Sequence, residues 1–234
     1  MFKKKYKKKL ERAEYFLDNL KTFTEEAGGF AYIPSDKQQA MRANIDGFFF
    51  ELISAKDFFL QDINDHYDLG LRKQDATSID QVKNCLRCKN EKKALEVILS
   101  VEKEIISTKN TWQWQLNHYR NTATHRELLP FGYEVKWNYI TSNKELFDKM
   151  KRGEVVIKPI IKGQEKEIPP DIPRVDIPRE NISIHLFKDP EDPKKGNLKI
   201  EVLPYCEESL KNMKEWLESL YSQLGIPENE PQEG

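Results

Sequence analysis

The sequence predicts a mainly α protein: an antiparallel bundle of four or more helices, a small C-terminal β-containing attachment, and a final helix. Three observations predict it. Apolar residues recur at three- and four-residue spacing through most of residues 1–130. Beyond Pro130 the pattern gives way to Val- and Ile-rich stretches of strand character, interrupted by Ile168-Pro169-Pro170-Asp171-Ile172-Pro173 and Ile177-Pro178, an extended connector that no helix accommodates. Helical spacing then returns with Leu210, Met213, Leu217, Leu220 and Leu224. The expected units are a bundle over 1–130, the attachment with its helix over 131–225, and a disordered acidic tail over 226–234.

Each element has its own signal. Tyr6, Leu10, Ala13, Leu17, Leu20 and Thr24 make one face of a first helix, which Gly28-Gly29 stops. Ser35 and Gln38, three residues apart, form a capping box that opens a second helix. Along it Met41, Ile45, Phe48, Leu52, Ala55, Phe59 and Ile63 form one stripe. Phe49, Phe50, Ile53 and Leu60 form another, so this helix is apolar around much of its circumference and is expected at the centre. After a loop over Asp68–Thr77, Ser78 and Gln81 repeat the capping pattern, and the segment they open is expected to break near Asn90. Ala94, Ile98, Val101 and Ile105 give the third long helix its buried face, and the fourth runs from about Thr111 to Leu129 before Pro130. Further on, a short helix is expected over Lys144–Met150. Strands are expected over Glu154–Lys162, Asn181–Lys188 and Leu198–Leu203, and the last helix from about Cys206.

Composition narrows the function classes. With 33% charged residues, a net charge of −1 and no apolar run of membrane-spanning length, the chain reads as a cytoplasmic protein without a membrane partner. The near-zero charge gives no global electrostatic case for nucleic acid, but Lys3, Lys4, Lys5, Lys7, Lys8 and Lys9 cluster at one end. Such a run is either the solvated start of a helix or a phosphate-facing edge. Cys85 and Cys88 form a C-x-x-C without a second ligand pair, so they read as ordinary thiols on one helix face; no metal and no cofactor is expected.

The chemistry concentrates in the fourth helix. At about 100° per residue, Trp112, Leu116, Tyr119 and Ala123 fall in one arc facing the core. Trp114, His118, Asn121 and His125 fall in a second arc nearly opposite, where a solvated helix would carry Lys, Glu or Gln. Arg120 lies between the arcs, about 140° from His125, so the two converge on one ligand only across the helix flank.

The run Arg120-Asn121-Thr122-Ala123-Thr124-His125 resembles the Arg-x4-His motif of the HEPN (higher eukaryotes and prokaryotes nucleotide-binding) superfamily, with Asn directly after Arg and the motif on a late helix of a bundle. The resemblance covers roughly residues 1–130. It implies a homodimer through the fourth helix, a composite site, and metal-independent endoribonuclease activity in defence or toxin–antitoxin settings, with RNA as substrate and a protein antitoxin as partner. It also implies roles. His125 acts as general base or acid at the ribose 2′-hydroxyl, suited by an unperturbed histidine pKa of about 6.5. Arg120 holds the scissile phosphate, and Asn121 positions the phosphate or the histidine. Trp114, His118 and Thr124 border the site, and a second-helix residue is expected to assist, with Glu51, Ser54 and Asp57 as candidates and Glu51 preferred. Two plainer readings stand beside it. One is a surface Arg with a His near a positively favoured helix C-terminus; the other is a catalytically inactive module of the same fold that binds nucleotides or a protein. Trp114 is likewise a dimer contact, a packing residue or a base platform.

Overall fold

The computed structural model describes residues 5–27, 35–108, 111–125, 131–135, 142–152, 154, 182–187 and 198–226. Helix α1 spans Lys5–Ala27 and α2 spans Ser35–His66. A 3-10 turn at Asp75–Thr77 leads to α3 (Ile79–Cys88), α4 (Lys92–Glu102) with a π turn over Lys103–Ser107, and α5 (Trp112–His125). Strand β1 (Phe131–Val135), helix α6 (Lys144–Lys151), strands β2 (Ile182–Phe187) and β3 (Leu198–Glu201), and helix α7 (Val202–Leu224) complete the described elements.

Helix α2 is central because its sequence gives it few polar faces. Met41, Ile45, Phe48, Phe49, Leu52, Ile53, Ala55, Phe59, Leu60 and Ile63 are all at most 2% exposed. Each large apolar side chain buried this way contributes about 1.5–3 kcal/mol. The expected stripe is therefore present. Phe50, expected in the second stripe, departs: it is 40% exposed, so it is not core. It stands about 100° round the helix from Phe49, whose ring Tyr119 of α5 stacks on.

Helix α1 runs beside α2 on Tyr6, Leu10, Ala13, Leu17 and Leu20, all buried. Gly47 of α2 leaves room for the Phe16 ring of α1: a Cβ there would lie 2.7 Å from it. The Ser78 hydroxyl accepts from the Gln81 amide at 3.5 Å, as the capping pattern predicts. The chain breaks where expected, with Asn90 in the left-handed region at φ 59°. The side chains of Thr24, Ser35 and Gln38 lie outside the described residues, as do residues 126–130 and most of 154–162.

The three strands form one antiparallel sheet in the order β1-β2-β3, with Phe131 opposite Leu186 and Leu186 opposite Ile200. Strand β1 was not expected from sequence. Ile184 and Leu186 are buried on the sheet face that meets the core. Helix α7 starts at Val202, four residues earlier than expected, directly from β3. Pro204 is tolerated in its first turn, where no intrahelical N–H bond is lost. Gly225, at φ 64°, ends it. Ile226, assigned from sequence to the disordered tail, is 4% exposed and packs in the core.

Helix α7 shares the core of α1 and α2: Cys206, Leu210, Met213, Leu217, Leu220 and Leu224 belong to the same buried cluster as Tyr6 and Phe59. A polar link lies inside it. The Tyr221 hydroxyl donates to Asp62 Oδ2 at 2.5 Å, while Tyr6 stacks on the Tyr221 ring at 4.9 Å. Burial raises the Asp62 pKa, and the Tyr221 hydrogen bond and the Lys5 charge pull it partly back.

Two predictions follow from this packing. Gly47→Ala should destabilise by up to about 2 kcal/mol in urea unfolding, because overpacking costs about 1–3 kcal/mol against a helix-propensity gain of about 1. In a Phe16→Leu background the same change should become neutral or stabilising; a gain in the wild-type background would show that the Phe16 ring yields freely. The raised Asp62 pKa means that its protonated form stabilises the fold below the ordinary carboxyl value, and that this contribution is lost as pH rises through the raised value. Thermal melts across that window should shift steadily in favour of Asp62→Asn over wild type, then level off. A difference independent of pH would contradict this.

Candidate functional site

Helix α5 begins on a cap and a clamp. The Thr111 hydroxyl accepts from the Trp114 amide at 3.2 Å and donates to the Glu104 carbonyl at 2.9 Å. Glu104 sits in the π turn, and its carboxylate accepts from Trp216 Nε1 at 2.8 Å, Gln113 Nε2 at 3.3 Å and the Ser100 hydroxyl at 3.2 Å. A single carboxylate thus ties α4, α5 and α7 together, with Trp112 edge-on to Trp216 at 5.9 Å. Nothing in its local sequence singles Glu104 out; its indole partner is 112 positions away.

The core face of α5 is as expected. Leu116 and Tyr119 are buried, Trp112 is packed at the rim, and the Ala123 side chain lies outside the described residues. The Tyr119 ring stacks on Phe49 at 5.0 Å and meets Tyr205 edge-on at 5.8 Å, which fixes the rotation of α5 about its axis.

That rotation places Arg120 at the α2–α5 flank. Its guanidinium is 3.8 Å from Asp57 Oδ2 and donates from Nη1 to Asn121 Oδ1 at 3.3 Å. The Arg120 side chain is 25% exposed and that of Asp57 20%, so the pair is neither buried nor free in solvent. Asp57 also meets Lys56 Nζ at 2.7 Å. Of the three second-helix candidates, Asp57 is the one that reaches Arg120. Ser54 instead donates to the Phe50 carbonyl at 2.7 Å.

Glu51 faces the other way. It pairs with Lys9 Nζ at 2.7 Å and lies 3.8 Å from Arg12 Nη1, which ties it to α1. Trp114 is 4% exposed and therefore packed within the chain, with its ring 4.1 Å from that of half-buried His118. A side chain so enclosed offers no open face to a base. His125 ends α5, but its side chain and that of Thr124 lie outside the described residues, so of the motif the structure brings together Arg120 and Asn121.

Among the described residues no cluster of three or more His, Cys, Asp or Glu has the arrangement of a metal site. Cys85 is half-buried and Cys88 exposed on α3. No described helix is long and apolar enough to cross a membrane. Comparison of the chain with protein-family models, curated proteins and solved structures gives no match.

The Glu51 geometry is testable. Glu51→Gln should cost about 1–3 kcal/mol, because it leaves the largely enclosed Lys9 ammonium without its counter-charge. Lys9→Met in the same chain should recover part of that loss in a double-mutant cycle. Full stability with impaired function would instead place Glu51 at the Arg120 site.

Proposed function

We propose that the chain is a metal-independent endoribonuclease of the HEPN type, acting as a homodimer whose two α5 helices complete one site. The observation that carries this reading is Arg120, which is held half-sheltered at the α2–α5 flank by Asp57 and Asn121 one turn before His125. A guanidinium fixed by neighbours, with part of its surface open, is suited to a phosphate, which it meets through paired N–H donors.

The reaction needs little else. His125 takes the proton from the 2′-hydroxyl, whose oxygen attacks the adjacent phosphorus. The bond to the 5′-oxygen breaks, that oxygen receives a proton from the protonated His125 of the partner subunit, and a 2′,3′-cyclic phosphate and a 5′-hydroxyl result. Arg120 offsets the charge that accumulates on the phosphoryl oxygens, and Asn121 steadies the guanidinium. Because the nucleophile belongs to the substrate, no metal-activated water is needed, and DNA, which lacks the group, is not cut.

One feature favours the second reading, an inactive nucleotide- or protein-binding module of the same fold. Asp57 already gives Arg120 a counter-charge, which an incoming phosphate must displace.

Cleavage of single-stranded RNA in EDTA decides between them. Wild type should cut and leave cyclic phosphate ends. Arg120→Ala should lose about 10²-fold or more and His125→Ala about 10²- to 10⁴-fold, with folding unchanged. Cutting by His125→Ala at the wild-type rate, or no cutting across a broad RNA panel, would retire the enzyme and favour the binding module.

A further inference from the structure

Phe50 is the exception on α2, an aromatic ring 40% exposed on a helix that buries nearly every other large apolar side chain. Its neighbours along the same ridge, at three- and four-residue spacing, are Asp46, Ser54 and Asp57. Phe50 is the one exposed large apolar side chain of α2 among the described residues, with polar groups along its ridge. The docking of a partner helix needs consecutive apolar anchors at that spacing, and the ridge lacks them.

Position and charge say what suits it. Phe50 and Asp57 are seven residues apart, hence about 20° apart round the helix and about 10 Å apart along it. Arg120 reaches that ridge from α5, through Asp57. From α1, Lys9 Nζ lies 5.6 Å from the centre of the Phe50 ring and 5.8 Å from that of Phe58, held there by Glu51. Beside it the Arg12 side chain is 65% exposed. Between Lys5 and Arg12 the chain carries five basic residues and one acidic residue. A basic edge, a half-open ring and a sheltered guanidinium thus follow one another across the helix crossing. Phosphate-tracking cations beside a stacking ring are the means by which proteins hold unpaired nucleic acid.

We infer that the Phe50 ring is a stacking platform for one base of a single-stranded RNA, next to the phosphate at Arg120, with the basic edge of α1 following the strand. This rests on the reading of Arg120 as a phosphate-holding group. It also gives the substrate a form: in a duplex the bases are stacked on one another and their faces are closed to the ring.

The test measures binding of a non-cleavable 2′-O-methyl oligonucleotide to the full chain by fluorescence anisotropy, single-stranded and as a duplex. Wild type should prefer the single strand. Phe50→Ala should weaken that binding about 5- to 100-fold, and Phe50→Trp should restore it. The salt dependence should be the same in Phe50→Ala but shallower by about 0.7 in log–log slope in Arg12→Ala. Thermal melting of each variant verifies folding. Undiminished binding by Phe50→Ala, equal binding of the duplex, or no binding at all would overturn the inference. The ribonuclease reading fails separately: Phe50-dependent binding by a wild type that cuts no RNA would remove catalysis and leave the platform. Normal cutting with binding indifferent to Phe50 would do the reverse.

Discussion

The architecture depends on one constraint, the apolar circumference of α2. A helix with a single apolar stripe needs one neighbour; α2, with two adjoining stripes, needs several. Helix α1 covers it at Gly47, where the absent Cβ makes room for Phe16. Helix α5 covers it through the Tyr119–Phe49 stack, and α7 through Tyr221, which meets Phe59 at 5.1 Å. Among the described residues, Phe50 is exposed and Asp57 half-buried on the side these helices leave, with Ser54 buried between them. The candidate site lies where it does because that side is the part of α2 the three covering helices leave.

Much of this was legible because it is local. The stripe from Met41 to Ile63, the Ser78 cap, the break at Asn90 and the β2 and β3 segments each follow from residues within a few positions of one another. What was not legible depends on distant partners. Strand β1 is five residues long and acquires its identity from β2, some fifty positions on. The early start of α7 depends on β3 running straight into it, and Ile226 is buried because α7 ends against the core. Phe50 has the same local pattern as Phe49, and only the arrangement of α1 and α5 separates them. In the site, the motif helix could be named from its residues and the three α2 candidates only from what the motif's resemblance implies; that Asp57 meets Arg120 while Glu51 meets Lys9 depends on which flank each neighbour occupies.

The polar groups inside the helical layers follow the same rule. Asp62 with Tyr221 and Glu104 with Trp216 are both pairings between an early helix and α7. Each replaces hydration lost on burial with a hydrogen bond of fixed geometry. An apolar contact tolerates sliding; these do not. They set the register of α7 against the bundle, and Lys214 with Glu14 adds an ion pair to α1.

That registration bears on Arg120. Helix α5 is held at its start by Glu104, which itself is held by Trp216 of α7, and in its middle by Tyr119 between Phe49 and Tyr205, again of α7. Arg120 is the residue after Tyr119, so its direction is set by a stack that it does not join. A change in α7 that tilted Tyr205 or freed Glu104 would rotate α5, and a rotation of one residue step, about 100°, would carry the guanidinium off the Asp57 flank altogether. Helix α7, which carries none of the motif, is in this sense part of what aims it.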